Sequence, residues 1–133
     1  MANGTIAFDT LTPSDQVNTG AEKSIDTSYL FNGIPKAWAN FDESNSTIRD
    51  DFNVSSLTDN STGFFTVNLT NAMSSDDYVR IGNPGENADT GGNRVLALRL
   101  PATGSFNINT RNSTNGNLSD TQDTCVATLG DLA

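Results

Sequence analysis

The chain has 133 residues, too few for two domains with separate cores. With one cysteine and no histidine, it excludes intrachain disulfide staples, histidine-based nucleophilic triads and ordinary zinc sites. Sixteen acidic residues against seven basic ones, a formal net charge of −9, argue against nucleic acid as a partner. A hydrophobic fraction of 35% makes a thin core for this length, which favours burial of more apolar area between subunits.

The opening segment, MANGTIAFDTLTPSD, has neither a basic start nor the apolar run of a signal peptide, and no later run approaches the roughly 20 apolar residues of a membrane span. The expectation is synthesis in a cytoplasm without export or membrane insertion. Residues 1–33 are rich in Thr, Ser, Asp and Gly, with apolar residues too irregular for an amphipathic helix and too sparse for a core strand. They read as an extended N-terminal arm. Ile6, Phe8, Leu11, Tyr29, Leu30 and Phe31 are expensive to leave in water, each forgoing roughly 1.5–3 kcal/mol of burial, so the arm is expected to lie on neighbouring chains through them.

From residue 34 to 133 the pattern becomes β throughout, and an antiparallel β-sandwich or jelly-roll-like domain is expected. Strands are predicted at Lys36–Phe41, Ile48–Ser56, Phe64–Asn71, Tyr78–Gly82, Arg94–Leu100, Ser105–Thr110 and Asp123–Leu129, separated by turn-forming clusters such as TDNSTG and PATG. Alternation places Ile48, Asp50, Phe52 and Val54 on one face of their strand and sets Phe65, Val67 and Leu69 on one face of the next. Trp38 falls opposite Ala37, Ala39 and Phe41, as core of a second layer or as subunit interface. Cys125 shares a face with Ala127 and Leu129, as a core or interface thiol with no basic neighbour in sequence to activate it. The Gly- and Asn-rich run NPGENADTGGN reads as a long exposed loop of variable character, displaying Asn83, Glu86, Asn87, Asp89 and Asn93.

Chemistry is sparse along this chain. Adjacent acids at Asp50–Asp51 and Asp76–Asp77 would point to opposite strand faces, so neither pair forms a sugar-cleaving dyad; Asp50, on the apolar face by alternation, is the one acid to follow. Asn87 and Asp89 begin a calcium-loop spacing, but position twelve is Leu98 where a bidentate acid is needed. No phosphate loop, dinucleotide fingerprint or G-x-S-x-G turn occurs. The expectation is a protein that is not an enzyme and needs no cofactor or metal.

Three stretches carry a resemblance. They are the opening TLT-P-SDQ…TG…EKSIDTSYLFNG, the central block KAW-x-N-F followed by I-R-D-x-F-N-V-S-S-L-T-D-N-x-T-G and T-V-N-x-T-x-A-M, and the closing CVATLGDLA. In these the chain resembles small virion structural proteins and tail-fibre-like β domains of bacteriophages, found in phages of cyanobacteria and marine bacteria. It departs at Glu43–Ser46, where a Gly/Thr-rich turn is common, and in the section around NPGENADTGGN. The resemblance implies a non-enzymatic component of the virion surface, in a symmetric assembly such as a homotrimer, with phage capsid or tail proteins as partners. Two placements follow from it. One is a capsid decoration (cement) protein clamping capsid subunits with its arm; the other is a short tail fibre or fibre tip binding a host surface receptor. The missing fibre shaft and the near absence of large rings favour the first.

Overall fold

Short apolar–polar alternations, closed by turn residues such as Asn, Asp, Ser and Gly, make strands of most of the described residues. A computed structural model describes residues 10–11, 25–26, 31–85 and 93–133. The chain divides into two units, Met1–Ile34 and Pro35–Ala133. In the first, β1 (Thr10–Leu11) pairs antiparallel with β2 (Ile25–Asp26), Leu11 opposite Ile25. Of the residues expected to make arm contacts, Leu11 lies in β1 and Phe31 is exposed, while Ile6, Phe8, Tyr29 and Leu30 lie outside the described residues.

The second unit is all-β, with two antiparallel four-stranded sheets forming a sandwich. Its strands are β3 (Ala37–Asp42), β4 (Thr47–Phe52), β5 (Val54–Ser61), β6 (Phe64–Leu69), β7 (Val79–Gly85), β8 (Arg94–Ala102), β9 (Ser105–Asn112) and β10 (Asp123–Leu129). One sheet has the order β4-β3-β10-β7 and the other β5-β6-β9-β8. Phe41, Ala37, Ala39 and Val126 of the first sheet meet Phe65, Val67, Phe106 and Ile108 of the second, and Met73 and Tyr78 close one end. The Tyr78 ring stands edge-on to Phe106 at 6.4 Å, and its hydroxyl donates to the carbonyls of Ala102 and Ser105 at 3.1 and 3.0 Å. Phe65, Val67 and Leu69 all face this core, as alternation predicts.

The predicted strand Ile48–Ser56 is two strands in two sheets. Asn53, at φ +58°, turns the chain between β4 and β5, so Phe52 ends in one sheet and Val54 begins in the other. Its side chain holds the corner: Nδ2 donates to the carbonyls of Lys36 (3.0 Å) and Asn71 (3.2 Å), and Oδ1 accepts from the Asn71 amide at 2.7 Å. A second break in phase is the bulge between Asn40 and Phe41, which sets Ile48 opposite Phe41 but Asp50 opposite Asn40. Ile48 and Val54 therefore pack on the core, whereas Asp50 and Phe52 turn outwards. The single face expected for these residues does not form, because a bulge and a left-handed corner each shift the alternation.

Candidate functional site

Each sheet has an outer face, and their chemistry differs. On the sheet β4-β3-β10-β7, register lines up Phe52, Trp38, Ala127 and Ile81 in one row across all four strands, and Leu129 opposite Val79 in the next. Phe52 (53% exposed), Ile81 (52%), Val79 (57%) and Trp38 (38%) all lie open to solvent. Trp38 is thus outside the core, with the small Ala37 and Ala39 taking the inward positions beside it. Cys125 is exposed on the same face; Asn40 donates to its sulfur at 3.1 Å, and a shallow cavity of about 370 Å³ runs beside it along Ile81, Asn83 and Ala127. At one end of this face Arg49 pairs with Asp42 at 3.4 Å and Asp123 at 3.2 Å, while Asp50, opposite Asn40 and nearer the apolar row, makes no salt bridge to a described residue.

The outer face of the sheet β5-β6-β9-β8 is mainly polar, with Val95 and Leu100 exposed along β8. Asn68 donates to Ser56 (3.1 Å) and Thr58 (3.0 Å), Asn60 donates to Thr66 (2.9 Å), and Thr66 donates to Asn107 Oδ1 at 3.0 Å. A groove of about 350 Å³ opens on it, with Phe64, Asn107, Asn109, Arg99 and Arg111 in its wall. Arg99 Nη1 donates to Asn109 Oδ1 and Arg111 Nη1 to the Gly116 carbonyl, both at 3.0 Å. Beside the groove β8 bulges between Arg99 and Ala102, and Leu100 sits there at φ +42°. A branched side chain rarely takes that conformation, and such strain gathers where a surface is being shaped.

One buried carboxyl links the two sheets. Glu43, in the β3–β4 turn and 1% exposed, accepts at Oε1 from the hydroxyls of Thr110 in β9 and Thr124 in β10, both at 2.7 Å, and at Oε2 from the Thr121 amide at 3.3 Å. Burial pushes its pKa above the ordinary 4.5; the three donors pull the other way, and the charge of Asp120 adds a smaller upward push. Enclosed on every side, Glu43 braces the sheets and reaches no ligand.

Asp50 lies exposed on the outer face, where its own carboxylate accepts from the Asp51 amide at 3.0 Å. Asp76 and Asp77 lie exposed before β7. In the expected loop, Asn83 belongs to β7 and pairs with Cys125, because the strand runs on through Pro84 to Gly85. The loop is therefore shorter at that end than expected. Asn93 is exposed and its carbonyl accepts from the Ser113 amide at 2.8 Å, while Glu86, Asn87 and Asp89 lie outside the described residues. Among the described residues no cluster of three or more His, Cys, Asp or Glu is arranged to hold a metal.

Sequence reasoning brought out Trp38 and Cys125 but neither Glu43 nor the groove. Glu43 stands among turn residues, and its partners are 67 to 81 positions away, so nothing local signals burial. Arg99 did leave a trace, since alternation along the predicted strand Arg94–Leu100 sets it outwards; Arg111 lies beyond the predicted strand Ser105–Thr110, which runs on to Asn112. No protein-family model matches the chain, and comparison with curated proteins and with solved structures found no match.

Proposed function

We propose that this protein is a non-enzymatic structural protein of a bacteriophage virion surface, a capsid decoration (cement) protein that clamps capsid subunits as a homo-oligomer, in the simplest case a homotrimer. The observation that supports it is the uncovered apolar row Phe52–Trp38–Ala127–Ile81, continued by Val79. Contiguous apolar surface of this kind marks a protein interface, and an exposed Trp is a favoured anchor there. A second copy is the occupant this face suits: in a chain of net charge −9, Asp42 and Asp123 of this face are paired with Arg49, which lowers the repulsion between acidic copies that meet there and leaves Asp50 as the charge beside the apolar row. The motif resemblance supplies the virion setting. The competing placement, a fibre tip that binds a host surface receptor, is favoured by the polar groove on the opposite sheet.

Sedimentation of the purified full-length chain, with labelled protein located on particles by electron microscopy, tests both parts. An oligomer that coats expanded heads at fixed stoichiometry is expected. A compact monomer would overturn the assembly, and label at the tail would transfer the protein to the fibre-tip placement.

A further inference from the structure

The groove on the sheet β5-β6-β9-β8 has an uncommon inventory for so acidic a chain. Its two guanidinium groups, Arg99 and Arg111, make no salt bridge to any described residue; each is held by a neutral oxygen, Asn109 Oδ1 and the Gly116 carbonyl. Both amide oxygens of the wall are already used as acceptors, Asn107 Oδ1 by Thr66 and Asn109 Oδ1 by Arg99. Asn109 is only 5% exposed, and what it and Asn107 have left to offer is their Nδ2 donors, which no described acceptor takes. The wall thus presents N–H donors and unneutralised positive charge, and it calls for a ligand rich in oxygen acceptors and carrying negative charge.

The remainder of the lining narrows the class. Phe64, register partner of Asn109, is half-buried and shows part of its ring, while Leu100 and Leu118 add aliphatic surface. An inorganic anion would satisfy the arginines and leave this apolar wall in water. A neutral sugar would cover the apolar wall and leave two charges unanswered. A sugar acid answers all three demands, with its carboxylate on the guanidinium forks, its hydroxyl oxygens on the asparagine amides and its C–H face on Phe64 and Leu100. A volume of about 350 Å³ lies at the small end of ligand sites, enough for one or two sugar rings. We infer that this groove is a binding site for a uronic acid, free or at the exposed end of an acidic polysaccharide. The binding chemistry holds for either virion placement; its use in attachment would rest on the fibre-tip one.

Titrating the full-length ¹⁵N-labelled chain with D-galacturonate and short oligogalacturonates, and in parallel with D-galactose and with sulfate, tests this by NMR. Galacturonate at millimolar concentration is expected to shift the backbone amides of Phe64, Asn107 and Asn109, with galactose leaving them in place. Arg99→Gln and Arg111→Gln should each weaken binding by about tenfold or more, and Arg49→Gln, on the opposite sheet, should not change it. No shift with galacturonate, an equal response to galactose, sulfate reproducing the full set of shifts, or full affinity in both groove variants would each overturn the assignment. The comparison of ligands on the unaltered chain decides the matter even if a variant folds poorly.

Discussion

Glu43 shows how one side chain ties pH to stability. Its pKa is raised in the folded chain by burial, so its neutral form is the one the fold favours. The stabilisation associated with it is complete below the ordinary value of 4.5 and is lost as pH rises through the raised folded value. Glu43→Gln removes this titration while keeping a neutral group of the same shape. Urea unfolding from about pH 3 to about pH 8 should therefore show the advantage of the wild-type chain over the variant shrinking as pH rises; a constant or growing advantage would contradict the assignment. Gly63 is a second residue with no substitute. At φ +60°, a Cβ there would lie 2.5 Å from the Thr110 carbonyl oxygen and 2.6 Å from the Ser119 nitrogen, both backbone atoms that cannot step aside. Gly63→Ala should cost about 3 kcal/mol or more in chemical denaturation, the left-handed penalty plus the clash. Neither role is written locally: Glu43 looks like any turn acid, and Gly63 like any turn glycine, until distant strands close around them.

Among elements, the central strands were readable and the corners were not. β6 alternates without interruption, so Phe65, Val67 and Leu69 could be assigned to the core from the order of residues alone. The same rule failed between Ile48 and Val54, where DDFNV alternates on paper but the chain changes sheets at Asn53. Asn tolerates the left-handed region better than most residues, yet many Asn sit in plain strands, and only contacts with Lys36 and Asn71 select this one as a corner. Asn53→Ala should thus lower stability by about 2–4 kcal/mol, combining the backbone penalty with the lost hydrogen bonds, and Asn53→Gly by about 1–2 kcal/mol, since glycine keeps the backbone and loses only the bonds. Thermal melts that rank the glycine variant below the alanine variant would show that the corner is not held in this way. The outward groove escaped notice for a related reason: the bulge at Arg99–Ala102 and the position of Leu100 belong to the pairing of β8 with β9, which spacing does not encode.

At the scale of the whole molecule, a sandwich with a thin core has two outer surfaces to dispose of, and this one treats them oppositely. The mainly polar face of β5-β6-β9-β8 ties its Thr, Asn and Ser side chains to one another across β5, β6 and β9 and confines its exposed apolar side chains Val95 and Leu100 to β8. The face of β4-β3-β10-β7 leaves Phe52, Trp38, Ile81 and Val79 open, and each such side chain gains about 1.5–3 kcal/mol when fully buried. Even partial burial of the four on a second copy is enough to make association matter beside the 5–15 kcal/mol that holds a typical domain together. An Ile81→Asp substitution puts a charge at the β7 end of that row, beside Val79, without touching the core, because Ile81 already points away from it. The expected result is a chain that sediments as a monomer, whereas the same change at an outward position of the polar sheet, Thr58→Asp, leaves the assembly intact. At high dilution, where no assembly forms, the Ile81 variant should melt within about 0.5 kcal/mol of the wild-type chain, as surface substitutions usually do. If it instead unfolds at every concentration, Ile81 is serving its own fold and the row is not the contact between copies.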